Sequence, residues 1–327
     1  MATSSVSNVH RGRVVAVISA YRPTAELVAH CTQLTPQVSR IIVVDDASGP
    51  GADPVLRALE SIDVTVVRQP ENLGIGAAMN CGFDLAQSGA HELVVTFDQD
   101  SWVPEGYIDA LINEFDAQVS AGHRVGMVAP EYFSSTPQTR GERSESYVQA
   151  YAPIQSGLLM PVAALVELGP QRADYFIDLV DTEYFLRARR SGYIALCAPG
   201  LTLPHGFGHR LYVHAFGRRL RKRSGRPRMV AVSTPFRYYY RVRNRIAMNR
   251  EYAKDPEFGR LLRRDTRSDL LLDFGVALYS ARGKFALLRV MCAGLRDGLR
   301  GRLGKIPQHV AEKASRVTWR HPVIEES

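Results

Sequence analysis

Cysteine is scarce: Cys31, Cys81, Cys197 and Cys292 are the only four in 327 residues, and no two form a Cys-x-x-Cys pair. That scatter excludes a disulfide-stapled scaffold and a cysteine-based zinc centre, and fits reduced thiols. No run of about 20 apolar residues occurs, so no segment reads as membrane-spanning. No apolar stretch of signal-peptide length precedes Arg11 and Arg13, which predicts a chain that stays in the cytoplasm. No short period recurs, and 26 Gly with 18 Pro are near average, which removes solenoid and collagen readings. What remains, 45% apolar and 23% charged residues, is ordinary globular composition for one large domain or two modest ones.

Charge is unevenly spread. Between Arg210 and Arg300 there are 23 Lys/Arg against 7 Asp/Glu, while the rest of the chain carries 18 basic against 26 acidic residues. An acidic body with a basic C-terminal part points to a polyanionic partner. The densest cluster runs from Gly217 to Arg228 and includes Arg218, Arg219, Arg221, Lys222 and Arg223. Such a cluster binds anionic lipid head groups or nucleic-acid phosphates equally well. The basic amphipathic stretch Ala281–Val290 favours an interfacial helix, so the expected partner is an anionic membrane surface and not nucleic acid. A solvated face, or contact with another copy of the chain, is the alternative.

The first 130 residues alternate β-branched runs with helical stretches, the pattern of parallel strands joined by crossover helices. Strands are expected at Val14–Ile18, Ile41–Val44, Val64–Val67 and Leu93–Phe97, with helices at about 24–34, 53–60, 75–88 and 104–120, the last opening at Pro104. The stretch from about 131 to 156 reads as a long loop or a pair of edge strands. A strand at Ser156–Met160 and helices at Pro161–Leu168 and Thr182–Ser191 come next, and beyond Pro235 the pattern is helical around 236–252, 257–264 and 268–295.

Polar groups gather just after successive strands: Tyr21 and Arg22, then Asp45 and Asp46, then Asp98 and Asp100. In an open parallel sheet, ligands bind beyond the carboxyl ends of the strands, so these groups are expected to converge on one pocket. Asp98-Gln99-Asp100 is an Asp-x-Asp suited to a hard divalent cation, magnesium or manganese, and through it a diphosphate. Pro70–Asn80 leads into a helix; its Gly74 and Gly76 permit either close approach of an anion to the backbone or tight helix packing. The spacing is not the dinucleotide fingerprint, and no Walker Lys-Ser/Thr is present after it, so NAD and ATP are poor guesses. In Asp178–Glu183, Asp181 is placed either as a helix N-cap or as a proton acceptor. His205, in a Gly-rich turn, can complete a metal's coordination, bind a phosphate oxygen, or act structurally.

Taken together, these segments resemble glycosyltransferase family 2, the inverting enzymes of the GT-A fold, and within it the bacterial rhamnosyltransferases. Ala20-Tyr21-Arg22-Pro23 looks like the first nucleotide loop, with Arg22 where Asn is usual. Val44–Ser48 looks like the nucleobase element, Asn72-Leu73-Gly74 through Asn80 like the Asn-x-Gly…Asn segment, and Asp98–Ser101 like the metal-binding triplet. Asp178–Glu183 looks like the acceptor-side acid motif, His205–Gly208 like the His-x-x-Gly turn, and Tyr238–Asn244 and Gly294–Leu299 like later segments of the same branch.

The resemblance covers about residues 13–305. It implies an α/β GT-A (Rossmann-like) domain over 13–210, with a nucleotide-binding half to about 130 and an acceptor half beyond it. A disordered segment 1–12 is expected before this domain, and a basic helical extension 211–327 after it. Donor contacts are then expected from Ala20, Tyr21, Arg22, Asp45, Asp46, Asn72, Gly74, Asn80, Asp98 and Gln99. The metal (Mg2+ or Mn2+) would be held by Asp98, Asp100 and His205. Asp181 is the implied base, with Asp178, Glu183, Arg243 and Asn244 on the acceptor side. The implied reaction is single-displacement transfer of L-rhamnose from dTDP-L-rhamnose to a glycan acceptor, lipid-linked, at the inner face of the cell membrane. Another nucleotide sugar (UDP- or GDP-linked) and a catalytically silent sugar-nucleotide-binding module are the alternatives. A nucleotidyltransferase would need a Gly-rich loop directly after the first strand, where Tyr21-Arg22-Pro23 stands instead.

Overall fold

Residues 14–20 are apolar almost throughout, and such a strand is stable only where both of its faces and both of its edges are covered. In the structure, a computed structural model that describes residues 10–89, 91–140, 146–204, 209–212, 214–215, 218–221 and 229–320, β1 (Val14–Ala20) is buried and lies inside the main sheet. Beside it run β2 (Arg40–Asp45) and β4 (Leu93–Asp98), both parallel to it, and β3 (Thr65–Arg68) forms one edge beyond β2. The order β3-β2-β1-β4 continues through β8 (Leu158–Pro161), β5 (Val125–Phe133), β9 (Ile194–Leu203) and β7 (Val148–Gln149), with β6 (Thr136–Pro137) paired to β5. β8 is antiparallel to both β4 and β5, whereas β5 and β9 are parallel, so the sheet is mixed.

Register brings the strand ends level. Ala20 pairs with Asp45 and Ser19 with Asp98, so the last residues of three parallel strands lie side by side. The chain steps outward from β1 to β3 and returns to β4 on the other side of β1, which makes this edge a topological switch point.

The expected helices are present as Glu26–Leu34, Asp53–Ser61, Ile75–Gln87 and Tyr107–Ser120. Pro104 does not open the last of these, because Gly106 at φ +73° turns the chain left-handed and the helix starts after it. Residues 10–12, expected to be disordered, are helical instead; Arg11 Nε donates to the Val38 carbonyl at 3.0 Å, and residues 1–9 lie outside the described residues. The stretch expected as loop or edge strands from 131 is entered by β5, a buried nine-residue strand. Strand β9, not expected from the sequence, alternates less cleanly, with Pro199 and Gly200 inside it.

The chain divides into two compact units, residues 1–176 with 180–206 and residues 177–179 with 207–327. In the second, helices Arg237–Tyr252 and Lys284–Leu299 pack on each other, and Tyr238 meets Phe274 and Trp319 edge-on at 6.1 and 6.0 Å. The single helix expected over 268–295 is broken. Asp269–Phe274 is a π-helical turn, Gly275–Ser280 a short helix, and Ala281–Arg282 leaves the helix to pair with Thr318–Trp319 before Gly283, at φ +81°, starts the next. Among the described residues no helix is long and apolar enough to cross a membrane.

Two glycines let the helix pair close. A Cβ on Gly294 would collide with the Tyr239 carbonyl oxygen, and one on Gly298 would stand 2.9 Å from that of Arg243. Gly294→Ala is therefore expected to cost about 1–3 kcal/mol, because the helices must move apart to admit the methyl group. A thermal melt checks this, and an unchanged midpoint would mean that the crossing relaxes freely.

Candidate active site

The loops that leave the aligned strand ends are tied to one another by the polar side chains they carry. Asp45 accepts from Ser48 N at 3.1 Å and from the Ser48 hydroxyl, and Ser48 Oγ in turn accepts from Arg22 N at 2.6 Å. Arg22 (φ +53°) and Ala47 (φ +56°) are both left-handed, a conformation costly for residues with a Cβ and held here by these bonds. Gln99 closes the same edge: its Oε1 accepts from Tyr21 N at 2.8 Å, and its carbonyl lies 3.1 Å from His30 Nδ1. Tyr21, Leu73 and Trp102 remain exposed around these acids although they are large and apolar.

Asp46 is buried, and its carboxylate takes Leu73 N at 2.7 Å, Gly74 N at 2.8 Å and Asn72 Nδ2 at 3.0 Å. Ile75 N donates to the Phe176 carbonyl at 2.8 Å. Of the amides around the start of helix Ile75–Gln87, those of Leu73, Gly74 and Ile75 are engaged within the protein. A Cβ on Gly74 would strike the Phe176 carbonyl, and one on Gly76 would stand 2.9 Å from that of Arg172, so close packing accounts for both glycines. Asn80 serves the same joint: its Nδ2 donates to Gln171 O at 2.9 Å and its Oδ1 accepts from Gln171 N at 2.8 Å.

Asp98 and Asp100 stand at the end of β4, Asp98 half-buried and Asp100 exposed. Beneath them Ser156 Oγ accepts from Asp98 N at 3.1 Å and shares a 2.6 Å bond with Ser101 Oγ. One residue back, Gln155 links β4 to the acid helix. Its carbonyl accepts from Thr96 Oγ1 at 2.5 Å, and its N–H donates to Asp181 Oδ2 at 3.3 Å. Asp181 Oδ1 accepts from Thr182 N at 2.7 Å. Helix Val180–Arg190 begins before Asp181, which lies in its first turn and is not the N-cap.

The other acids of that motif are engaged differently. Glu183, buried, meets Arg187 with both oxygens, Oε2 to Nη2 at 2.7 Å, and Arg187 Nη1 donates to the carbonyls of Leu168 and Pro170. Asp178 belongs to the second unit and is gripped bidentately by Arg237 at 2.6 and 3.0 Å. Asn244 Nδ2 donates to the carbonyls of Ile177 and Asp178 at 2.9 and 2.8 Å, and buried Arg243 donates to Asn244 Oδ1 and to the Gly304 carbonyl. Phe176, Asp178 and Leu179 all have φ near +65°, so this short stretch is strained where the motif begins.

Among the described residues no group of three or more His, Cys, Asp or Glu is gathered as a metal cage. Asp98 and Asp100 fit a divalent cation as a partial set of hard oxygen donors, completed by a ligand's phosphate oxygens and water. His205, Lys222 and Arg223 lie outside the described residues. Arg218, Arg219 and Arg221 are exposed, with the Arg219 guanidinium 3.7 Å above the Tyr212 ring. The thiols take no part: burial pushes Cys31 and Cys197 up to about 12, the inert range. Ser156, Gln155 and Trp102 escaped the sequence reading. Ser156 lies 58 residues from the Asp98 whose amide it receives, a pairing that no local spacing signals.

The model of glycosyl transferase family 2 matches residues 14–157, the stretch that carries the aligned strand ends and the Asp98–Asp100 triplet. The dTDP-rhamnosyl transferase RfbF of Shigella flexneri is 26% identical over 250 residues, 73% of this chain and 80% of that one. Among solved structures, S. aureus TarS 1-349 in complex with UDP-GlcNAc superposes with a TM-score of 0.56 at 12% identity, over 92% of this chain and 83% of that one. GalNAc-T7 with UDP, GalNAc and Mn2+ gives 0.51 at 12% identity, over 74% of this chain and 48% of that one. The chain spans 39% of a longer TarS chain. The fold is that of the GT-A glycosyltransferases, with a helical C-terminal part. The chain is thus similar to the family 2 glycosyltransferases over residues 14–157, and to a dTDP-rhamnosyl transferase over most of its length.

Proposed function

We propose that the protein transfers L-rhamnose from dTDP-L-rhamnose to a glycan acceptor carried on a lipid, with inversion at the anomeric carbon. The observation that carries this reading is the hydrogen-bonded path from Thr96 through Gln155 to Asp181, which ties a candidate base to the strand that ends in Asp98 and Asp100. An in-line displacement needs a proton acceptor on one side of the reacting carbon and charge stabilisation on the other.

In this scheme Asp181 accepts the proton of the attacking acceptor hydroxyl. The new glycosidic C–O bond forms as the bond from the anomeric carbon to the diphosphate oxygen breaks, and the electron pair leaves with the nucleoside diphosphate. Two backbone amides, those of Gln155 and Thr182, hold the Asp181 carboxylate in orientation. Asp98 and Asp100 would hold a magnesium or manganese ion, whose chemistry is to neutralise charge on the departing diphosphate. Tyr21, exposed beside Gln99 and Ser48-anchored Arg22, offers a flat apolar face for the base. Asp45 and Asp46 act first as the anchors of these loops, and the carboxylate of Asp45 is the acceptor offered to a base N–H.

The Asp181→Asn variant, nearly isosteric, is expected to lower transfer by about 100-fold or more while donor affinity stays within a few-fold, as removal of a general base should. Isothermal titration and a transfer assay measure the two, and retained turnover would remove Asp181 as the base. Asp100→Ala is expected to abolish the manganese dependence of donor binding; binding that is equal with and without chelator in the parent protein would sink the metal assignment.

Thermal stabilisation by a panel of nucleoside diphosphate sugars, each with and without manganese, tests the donor, because a ligand that binds only the folded state raises the melting point. A manganese-dependent shift with dTDP-L-rhamnose is the expected result. A shift with a uridine or guanosine diphosphate sugar instead would keep the mechanism and replace the sugar, and no shift with any would overturn the reading of the site as a sugar-nucleotide site.

A further inference from the structure

Helix Lys284–Leu299 buries one face and leaves a second apolar face uncovered. Its inner side is Leu287, Val290, Met291, Gly294, Asp297 and Gly298, packed in the second unit. On the outside stand Phe285 (73% exposed), Leu288 (44%), Leu295 (41%) and Leu299 (59%), with exposed Cys292 between them. The spacing i, i+3, i+7, i+10, i+14 makes these five one continuous stripe along the helix. Isolated exposed leucines need no explanation, but a stripe of this length does.

Charge decides what covers it. At 100° per residue, exposed Arg289, Arg296 and Arg300 fall in a row along one edge of the stripe, and Lys284 flanks the other. The only acid between Lys284 and Arg300 is Asp297, which is buried and accepts from Tyr239 Oη at 2.9 Å and Arg296 Nε at 3.1 Å. The outer face thus presents apolar side chains beside cations and offers no carboxylate. A second copy of the same face would set one cationic row against another, whereas an anionic lipid surface meets both features at once. Arginine side chains are long enough to lie along the apolar boundary with their guanidinium groups among head-group phosphates. Sixteen residues span about 24 Å and carry too much charge to cross a bilayer, so the helix would lie in the plane of the surface.

We infer that the outer face of helix Lys284–Leu299 is a membrane-docking surface that inserts Phe285, Leu288, Cys292, Leu295 and Leu299 into the head-group boundary of an anionic leaflet. This rests on the second unit alone and stands whichever sugar the enzyme transfers.

The test uses the full chain and flotation with vesicles of phosphatidylglycerol mixed with phosphatidylcholine, against phosphatidylcholine alone. The protein is expected to float with the anionic vesicles only, and a variant carrying Phe285→Ser, Leu288→Ser, Leu295→Ser and Leu299→Ser to lose at least about tenfold in bound fraction at an unchanged melting point. A variant with Arg289→Gln, Arg296→Gln and Arg300→Gln is expected to lose binding to a similar degree. A nitrobenzoxadiazole label on Cys292 in the otherwise unaltered protein is expected to brighten and shift to the blue on adding anionic vesicles, a readout independent of how the serine variant folds. No flotation of the parent protein, full retention by the serine variant, or an unchanged label would each overturn the inference. So would a dimer, seen by light scattering, that the serine variant converts to monomer, since the stripe would then belong to a second copy.

Discussion

The structure depends on one constraint of register: three parallel strands end together, with Ala20 beside Asp45 and Ser19 beside Asp98. At such an edge the ladder stops, and the loops that leave it must find partners for backbone groups the sheet no longer satisfies. Asp45, Asp46 and Gln99 supply them, accepting from the amides of Ser48, Leu73, Gly74 and Tyr21. Acids at the strand ends therefore hold the loops that leave the sheet in place. That explains why two of them are nearly fully buried although carboxylates seldom are.

This structural role also marks where sequence reading reached its limit. The strands β1 to β4 and the helices between them were legible because fully apolar five-residue runs have one stable home, the middle of a covered parallel sheet. The convergence of Tyr21, Asp45 and Asp98 followed from that topology. The assignment of Asp46, Asn72 and Gly74 to a ligand did not follow in the same way: a carboxylate that accepts from a base and one that accepts from its own loop have the same letter and the same spacing. The break at Ala281–Gly283 was hidden for a related reason. Apolar residues at helical period continue across it, while the cause, pairing of two residues with Thr318–Trp319, lies almost forty positions away.

In the second unit, buried polar residues do the work that backbone pairing does in the first. Arg243, fully buried, is satisfied by Asn244, the Gly304 carbonyl and the faces of Tyr239 and Tyr240 at 5.3 and 4.9 Å. Asn244 passes that order on to the carbonyls of Ile177 and Asp178, and Arg237 fixes the Asp178 carboxylate. The Tyr-Tyr…Arg-Asn pattern of residues 238–244 thus has a physical content: it clamps a backbone stretch that would not otherwise hold φ near +65° at Asp178 and Leu179.

Strain of that kind costs about 1–3 kcal/mol per residue and persists only where its surroundings over-determine it. Here Phe176 is bound through its carbonyl to Ile75, and Ile177 and Asp178 through theirs to Asn244. Asp181 is the second residue of the helix Val180–Arg190, and its carboxylate is held by the amides of Gln155 and Thr182. The start of the helix is thus preceded by three residues held in a conformation that none of them would adopt alone.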